Sequence, residues 1–326
     1  MQQKSQKAVI YTNQSPNYMQ FTENHQIPSP DNKNIIIEVY SAAINPVDYK
    51  LPYIFGFTIK NNIVGYDFSG KITYVPPHIT QFKVGDEVFG MNKGTLAEII
   101  KVQPDSCVLK PTQLTHSEAA ALPLACQTSL QSLRSYGKLI HGESDVLVIG
   151  GSGGCGYYGV QLSKILGAKS ITAICSSKNF DFVKNQGADF LHDYNSPDGM
   201  LPKNKKFDII YDTVSSPEDF DYYPEGVKLL KNEKSVFVAI NGQKKDWVRK
   251  GFSKVLGNWV QKKQYQLMLL GQNQKDLSDI ALWAKEGKIK SIIDSEYGLN
   301  QEEVIQAFDK LKSRRVVGKV IIKIKQ

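Results

Sequence analysis

The chain has 326 residues, a net charge of +8 and 41% hydrophobic residues, a composition that fits a globular chain with room for two cores. No apolar run reaches the roughly 20 residues of a membrane helix, and residues 1–7 are too short and polar for a secretory leader. The four cysteines (Cys107, Cys126, Cys155 and Cys175) lie far apart, which argues against a disulfide framework and for a reducing compartment. The lysines are scattered and no nucleic-acid motif accompanies them. The basic balance therefore fits a solvated surface and an anionic cofactor. A cytoplasmic setting is expected, with a mitochondrial or other organellar place beside a membrane as the alternative.

Residues 1–124 read as β-rich. Short apolar or alternating runs at 8–11, 35–40, 70–75, 87–90 and 96–102 are split by Pro, Gly and Asn. An apolar loop at 53–57 has two readings, a pocket wall or core. From residue 145 strands and helices alternate. Strands are expected at 146–149, 170–174, 209–211 and 235–240, with helices at 157–166, 180–186 and 223–230. That rhythm predicts an α/β, doubly wound parallel sheet. After Gly271 come a helix at 277–286, a strand at 289–293, a helix at 301–312 and a strand at 316–324.

The most informative stretch is Val146-Leu147-Val148-Ile149-Gly150-Gly151-Ser152-Gly153-Gly154-Cys155-Gly156. Gly151, Gly153 and Gly156 fit G-x-G-x-x-G between a strand and a helix. This order turns tightly, brings backbone N–H groups to a pyrophosphate and packs helix on strand. The helix N-terminus adds donors and partial positive charge. Ser152, Gly154 and Cys155 complete the candidate phosphate turn.

Enzymes that select NAD carry an acid about 20 residues further on, at the end of the second strand. Here Cys175 is followed by Ser176, Ser177 and Lys178, two hydroxyls and a cation. A 2′-phosphate needs such groups and is repelled by a carboxylate, so NADPH is the expected cofactor. A simpler role for Ser176, capping the next helix, is compatible with this.

Several ordered motifs then resemble the medium-chain dehydrogenase/reductase superfamily, in its zinc-independent quinone oxidoreductase branch. They are Asn45-Pro46-Val47-Asp48-Tyr49-Lys50, Gly65-Tyr66-Asp67-Phe68-Ser69-Gly70, Phe82-Lys83-Val84-Gly85-Asp86-Glu87-Val88, Ala119-Ala120-Ala121-Leu122-Pro123-Leu124, the glycine run, Asn185-Gln186-Gly187-Ala188-Asp189, Gly287-Lys288-Ile289-Lys290 and Gly318-Lys319-Val320-Ile321. The resemblance implies a GroES-like β-barrel substrate domain from 1–124 and 272–326. It also implies a Rossmann domain at 125–271, a cleft between them, and a homodimer joined through a last strand at 266–270. It places Thr128 beside the nicotinamide ribose and Lys178 and Tyr194 beside the 2′-phosphate. Asn241 and Gly242 would meet the nicotinamide, and Gly318 and Lys319 would close over the cofactor. Cys155 stands where valine is usual. Asn45 and Asp48 would border the nicotinamide, Asn45 as hydrogen-bond donor and Asp48 as organiser of the loop. Tyr49, Tyr53 and Tyr66 would be pocket walls or proton donors, with core packing as the plainer role.

No metal is expected. Asn45, Tyr66 and Leu124 stand where zinc members place their ligands, Cys126 is off register, and His25, His78, His116, His141 and His192 lack ligand spacing. Without a Lewis acid, an activated acceptor fits better than a simple alcohol. The expected partner is a small hydrophobic quinone or α,β-unsaturated carbonyl, reduced by hydride from NADPH. One segment stands apart. From Lys244 to Lys263, Val248, Phe252, Val255 and Trp259 recur at helical spacing among seven basic residues. It reads as a lid over the cofactor, or as a surface for an anionic membrane or a partner. The second reading would make the chain a weakly active or non-catalytic subunit of a membrane-associated assembly.

Overall fold

The computed structural model describes residues 5–12, 18–216, 220–243, 245–248 and 263–325, excepting the side chains of 54–57. Most of the basic segment opened by Lys244 lies outside the described residues. Two compact units form, a discontinuous one, Met1–Ala125 with Gln272–Gln326, and a continuous one, Cys126–Gly271.

The discontinuous unit begins with an antiparallel ribbon of β1 (Ser5–Tyr11) and β2 (Met19–Gln26). β3 (Ile35–Ile44), β4 (Asp67–Tyr74), β5 (Glu87–Met91), β6 (Ile99–Val102) and β7 (Cys107–Leu109) follow. β3 is buried along nearly its whole length because β4 and β6 pair with it antiparallel. Between β3 and β4 the expected apolar loop is instead the end of a helix, Pro46–Phe55, and a 3-10 turn, Gly56–Ile59. Pro46 starts that helix, where its fixed φ suits the first turn. Tyr53 on it is 70% exposed and touches Tyr18 edge-on at 5.2 Å, so its ring is not core.

The continuous unit is one parallel sheet. β8 (Asp145–Ile149), β9 (Ser170–Cys175), β10 (Phe190–Asp193), β11 (Ile209–Asp212), β12 (Val236–Ala239) and β13 (Tyr265–Leu267) stand in the order β10-β9-β8-β11-β12-β13. The order reverses at β8, the switch point at which such sheets take their ligands. Central strands are apolar throughout because a parallel sheet is covered on both faces; Val146, Leu147, Val148 and Ile149 are all fully buried. β10 escaped the sequence pattern because it is an edge strand, with Phe190 54% exposed. The helix expected at 223–230 is one α turn, Tyr223–Gly226, running into a 3-10 turn, Val227–Leu229.

The returning segment adds helix Gln274–Lys285, β14 (Ile293–Gly298), helix Gln301–Lys312 and β15 (Lys319–Lys323). The seven-stranded sheet runs β14-β15-β3-β4-β5-β7, with β6 on β3, so its hydrogen-bonded order is open rather than a closed barrel. β14 starts where the expected strand ends. Ile289 is instead buried as the chain leaves the preceding helix, its N–H bonded to the Trp283 carbonyl at 3.2 Å.

Candidate functional site

The glycine turn sits at the end of β8. Gly150 takes φ +86° and its carbonyl accepts the Gly153 N–H at 3.0 Å. A methyl on Gly156 would overlap that same carbonyl oxygen. The helix begins earlier than the sequence pattern suggested, spanning Gly154–Ile165 with Gly153 as its cap. The glycines themselves make the first turn, and among the described residues no side chain hydrogen-bonds as a cap on the helix N-terminus. A Cβ on Gly153 would meet only the Gly150 oxygen, at 3.5 Å, within 4 Å. The open space there fits a pyrophosphate, and the dipole end of a 12-residue helix favours its charge. Ser129 steadies the turn by donating to the Cys155 carbonyl at 2.8 Å and meeting the Tyr211 hydroxyl at 3.0 Å. Thr128, next to it on helix Pro123–Gln131, is buried.

After β9, Ser177–Asn179 form a 3-10 turn. Ser176 precedes it without making a side-chain cap, so the capping role expected for it is not realised. Asn179 donates to Ser152 at 3.2 Å, which ties this turn to the glycine turn. Lys178 and Tyr194 are both exposed. One neighbour was missed. Asp193, at the end of β10, stands opposite Cys175 in the sheet register. Its carboxylate accepts the Asn195 N–H at 2.9 Å, and this bond, with Ser177 close by, holds it below the usual carboxylate range. Asn241 and Gly242 follow β12; Gly242 is buried, and a Cβ there would lie 2.8 Å from the Tyr265 hydroxyl.

In the discontinuous unit a second constellation is made of buried side chains. Asn45 at the end of β3, Asp67 at the start of β4 and Lys319 at the start of β15 are at most 4% exposed. The amide of Asn45 donates to Asp67 Oδ2 at 2.8 Å and to the Ala43 carbonyl at 3.4 Å, while its Oδ1 accepts from Lys319 Nζ. The orientation is forced, because an ammonium can only donate and a carboxylate only accept. Lys319 also reaches the Ile44 carbonyl at 3.3 Å and Asp67 Oδ2 at 3.5 Å. Asp67 Oδ1 takes the Leu124 N–H at 2.7 Å. Burial pushes the Asp67 carboxyl up, against the pull of Lys319 and these hydrogen bonds.

Two expectations change here. Both amide hydrogens of Asn45 are spent inside the protein, so Asn45 positions its neighbours and is not a free donor for substrate. The three ammonium hydrogens of Lys319 likewise have three protein acceptors, so the side chain braces the fold instead of closing over a cofactor. Gly318 before it, at φ +96°, is fixed by close approach to the Ile292 carbonyl.

Asp48, in the first turn of helix Pro46–Phe55, accepts the Asn45 N–H on Oδ2 at 2.7 Å, the loop-organising role expected of it. Its Oδ1 is buried with no hydrogen-bond partner. Burial pushes its carboxyl up to about 8, and the charge of Asp67 adds to the shift. Two acids and one lysine thus lie buried together, and a proton on Asp48 leaves Lys319 and Asp67 as a matched pair. Tyr66 is half-buried, and burial followed by Asp48 raises its hydroxyl pKa. Tyr11, missed from sequence, has a buried hydroxyl without a partner. Tyr49 packs partly buried against the core.

At the positions where zinc relatives carry ligands, Asn45 and the Leu124 backbone serve Asp67. Among the described residues no three His, Cys, Asp or Glu side chains assemble a metal-ligand set. His116 is not a plain surface histidine. It packs on the Tyr40 ring at 4.4 Å and hydrogen-bonds Ser69 at 2.8 Å, and burial lowers its pKa. No described helix is long and apolar enough to cross a membrane.

The family described as "Alcohol dehydrogenase GroES-like domain" matches residues 31–112, and "Zinc-binding dehydrogenase" matches 186–322. The chain is 30% identical to the 2-methylene-furan-3-one reductase of Solanum lycopersicum, covering 97% of this chain and 78% of that protein. It is 30% identical to the chloroplast envelope quinone oxidoreductase homolog of Arabidopsis thaliana, covering 91% of each. The quinone oxidoreductase from Coxiella burnetii shares the fold at TM-score 0.83, 24% identity, and coverage of 99% of this chain and 100% of that one. The chain belongs to the medium-chain dehydrogenase/reductase superfamily. It is an oxidoreductase, and its fold implies a nicotinamide cofactor.

Proposed function

We propose that the protein is an NADPH-dependent reductase of a quinone or an α,β-unsaturated carbonyl compound, working without zinc. The observation that carries this reading is the bare glycine turn at the switch point, followed by a turn with Lys178 and two serines where an acid would favour NAD. The relatives' names, a furanone reductase and quinone oxidoreductases, support the acceptor class. When bound, NADPH would supply hydride to the electron-poor carbon of such an acceptor. The chain's own residues bind and orient. Gly151, Ser152, Gly153, Gly154, Cys155 and Gly156 would present backbone donors to the pyrophosphate, Ser176, Ser177, Lys178 and Tyr194 would hold the 2′-phosphate, Thr128 would flank the nicotinamide ribose, and Asn241 and Gly242 the nicotinamide. With the amide of Asn45 committed, the half-buried Tyr66 hydroxyl would be the hydrogen-bond donor to the developing oxyanion. Asp48 holds a second proton within the same unit.

The test is turnover with NADPH across quinones, enones, alkenals and simple alcohols, with and without chelator, and elemental analysis for zinc. Reduction of activated acceptors in metal-free protein, slowed in Tyr66→Phe, is expected. Normal NADPH binding with no turnover on any acceptor would replace this reading with that of an accessory subunit. The outer edge of β13 is the surface proposed for a homodimer, readable by gel filtration.

A further inference from the structure

Asp193 is an exposed-side carboxylate beside a turn read above as a phosphate site. It comes from the third strand of the parallel series, β10, and lies level with the end of β9 through the pairing of Asp193 with Cys175. Asn195 donates to it through its N–H and its side-chain amide, at 2.9 and 3.1 Å, and Ser177 lies close enough to help hold its carboxyl below the usual range. The Ser176-Ser177-Lys178 turn therefore has, beside its first residue, a charge of the same sign as the expected ligand. Lys178 supplies the opposing charge. The same turn is anchored to the glycine turn through Asn179 and Ser152, so a shift at Ser177 is felt where the pyrophosphate binds.

We propose that Asp193 is the residue that sets the ratio in which this site takes 2′-phosphorylated and unphosphorylated nucleotides. An acid in this sheet location suits a ribose diol, as the acid at the end of the second strand does in NAD enzymes, and it opposes a 2′-phosphate. On this reading, the preference for NADPH is the balance between Lys178, which draws the phosphate in, and Asp193, which repels it. The inference rests on the reading of this turn as the adenine-ribose site.

The experiment is calorimetric titration of the full chain with NADPH, NADH, 2′,5′-ADP and 5′-AMP, so that no acceptor substrate is needed. Asp193→Asn keeps an oxygen acceptor for Ser177 and removes the charge. It should tighten NADPH and 2′,5′-ADP by about fivefold and leave NADH and 5′-AMP within about twofold, the scale of one charge pair a few ångströms apart near water. Asp193→Ser, a smaller neutral variant, should shift the ratio in the same direction. Equal shifts for both nucleotide classes, or none, overturn the inference while the cofactor reading stands. A wild-type protein that binds neither class overturns both.

Discussion

The glycine turn and the Asn45–Asp67–Lys319 cluster are built from opposite materials. The turn in the continuous unit is almost all backbone, and its shape rests on side chains that are missing: a Cβ at Gly156 has no place, and one at Gly153 would meet only the Gly150 oxygen. The cluster in the discontinuous unit is side chains held by side chains, drawn from the ends of three strands and closed by the Leu124 N–H. A backbone site is broken by adding atoms, and a side-chain site by removing them.

That contrast is open to measurement. The largest effect is expected for Lys319→Met, which strands Asp67 as a buried charge. It should cost about 3–5 kcal/mol in urea unfolding, and a loss under about 1 kcal/mol, the scale of an exposed pair, would show that the cluster is wetter than its burial implies. Asp48→Asn tests the shared proton. A carboxyl raised to about 8 when folded binds its proton more tightly than in the unfolded chain, so its stabilisation is present at low pH and is lost as pH rises through that value. Wild-type unfolding free energy should therefore fall from about pH 5 to about pH 8 relative to Asp48→Asn; parallel curves would place the proton elsewhere. Gly156→Ala should cost about 1–3 kcal/mol of overpacking in the continuous unit and abolish NADPH binding. A variant that binds normally would mean the turn relaxes around the added methyl. The smallest effect is confined to binding. Lys178→Glu should weaken NADPH by about 1–3 kcal/mol, without moving the thermal midpoint, and a matching loss for NADH would assign Lys178 to a part of the site common to both.

The same contrast explains what could be read in advance. A backbone site follows sequence order, so strand, glycines and helix were visible in one stretch, and the parallel sheet followed from the alternation around it. The marker motifs of the other unit were also visible, but their meeting point was not. Asn45, Asp67, Leu124 and Lys319 are far apart in sequence, and which donor faces which acceptor depends on strand pairing. Asn45 was therefore expected to offer an amide that the fold has already used. Asp193 was missed for a related reason. Its strand is short and exposed at a sheet edge, so no apolar run announced it, and a search along the chain looked for the acid at the end of β9, one strand away.

The pairing of Lys319 with Asn45 joins residues 274 positions apart, and β15 lies against β3 across a similar span, Ile321 opposite Ala43. During synthesis β3 and Asp67 emerge early, without the neighbouring strand and the cation they are built to meet. The continuous unit, whose sheet is complete by Leu267, is entirely made in the interval. Synthesis order therefore lets the continuous unit close first, while the other unit cannot bury Asp67 against its cation until the returning segment is made. A ribosome stalled before residue 319 would carry a finished cofactor-binding half on an unfinished partner, and chaperones that shield exposed strand edges would find their substrate in β3.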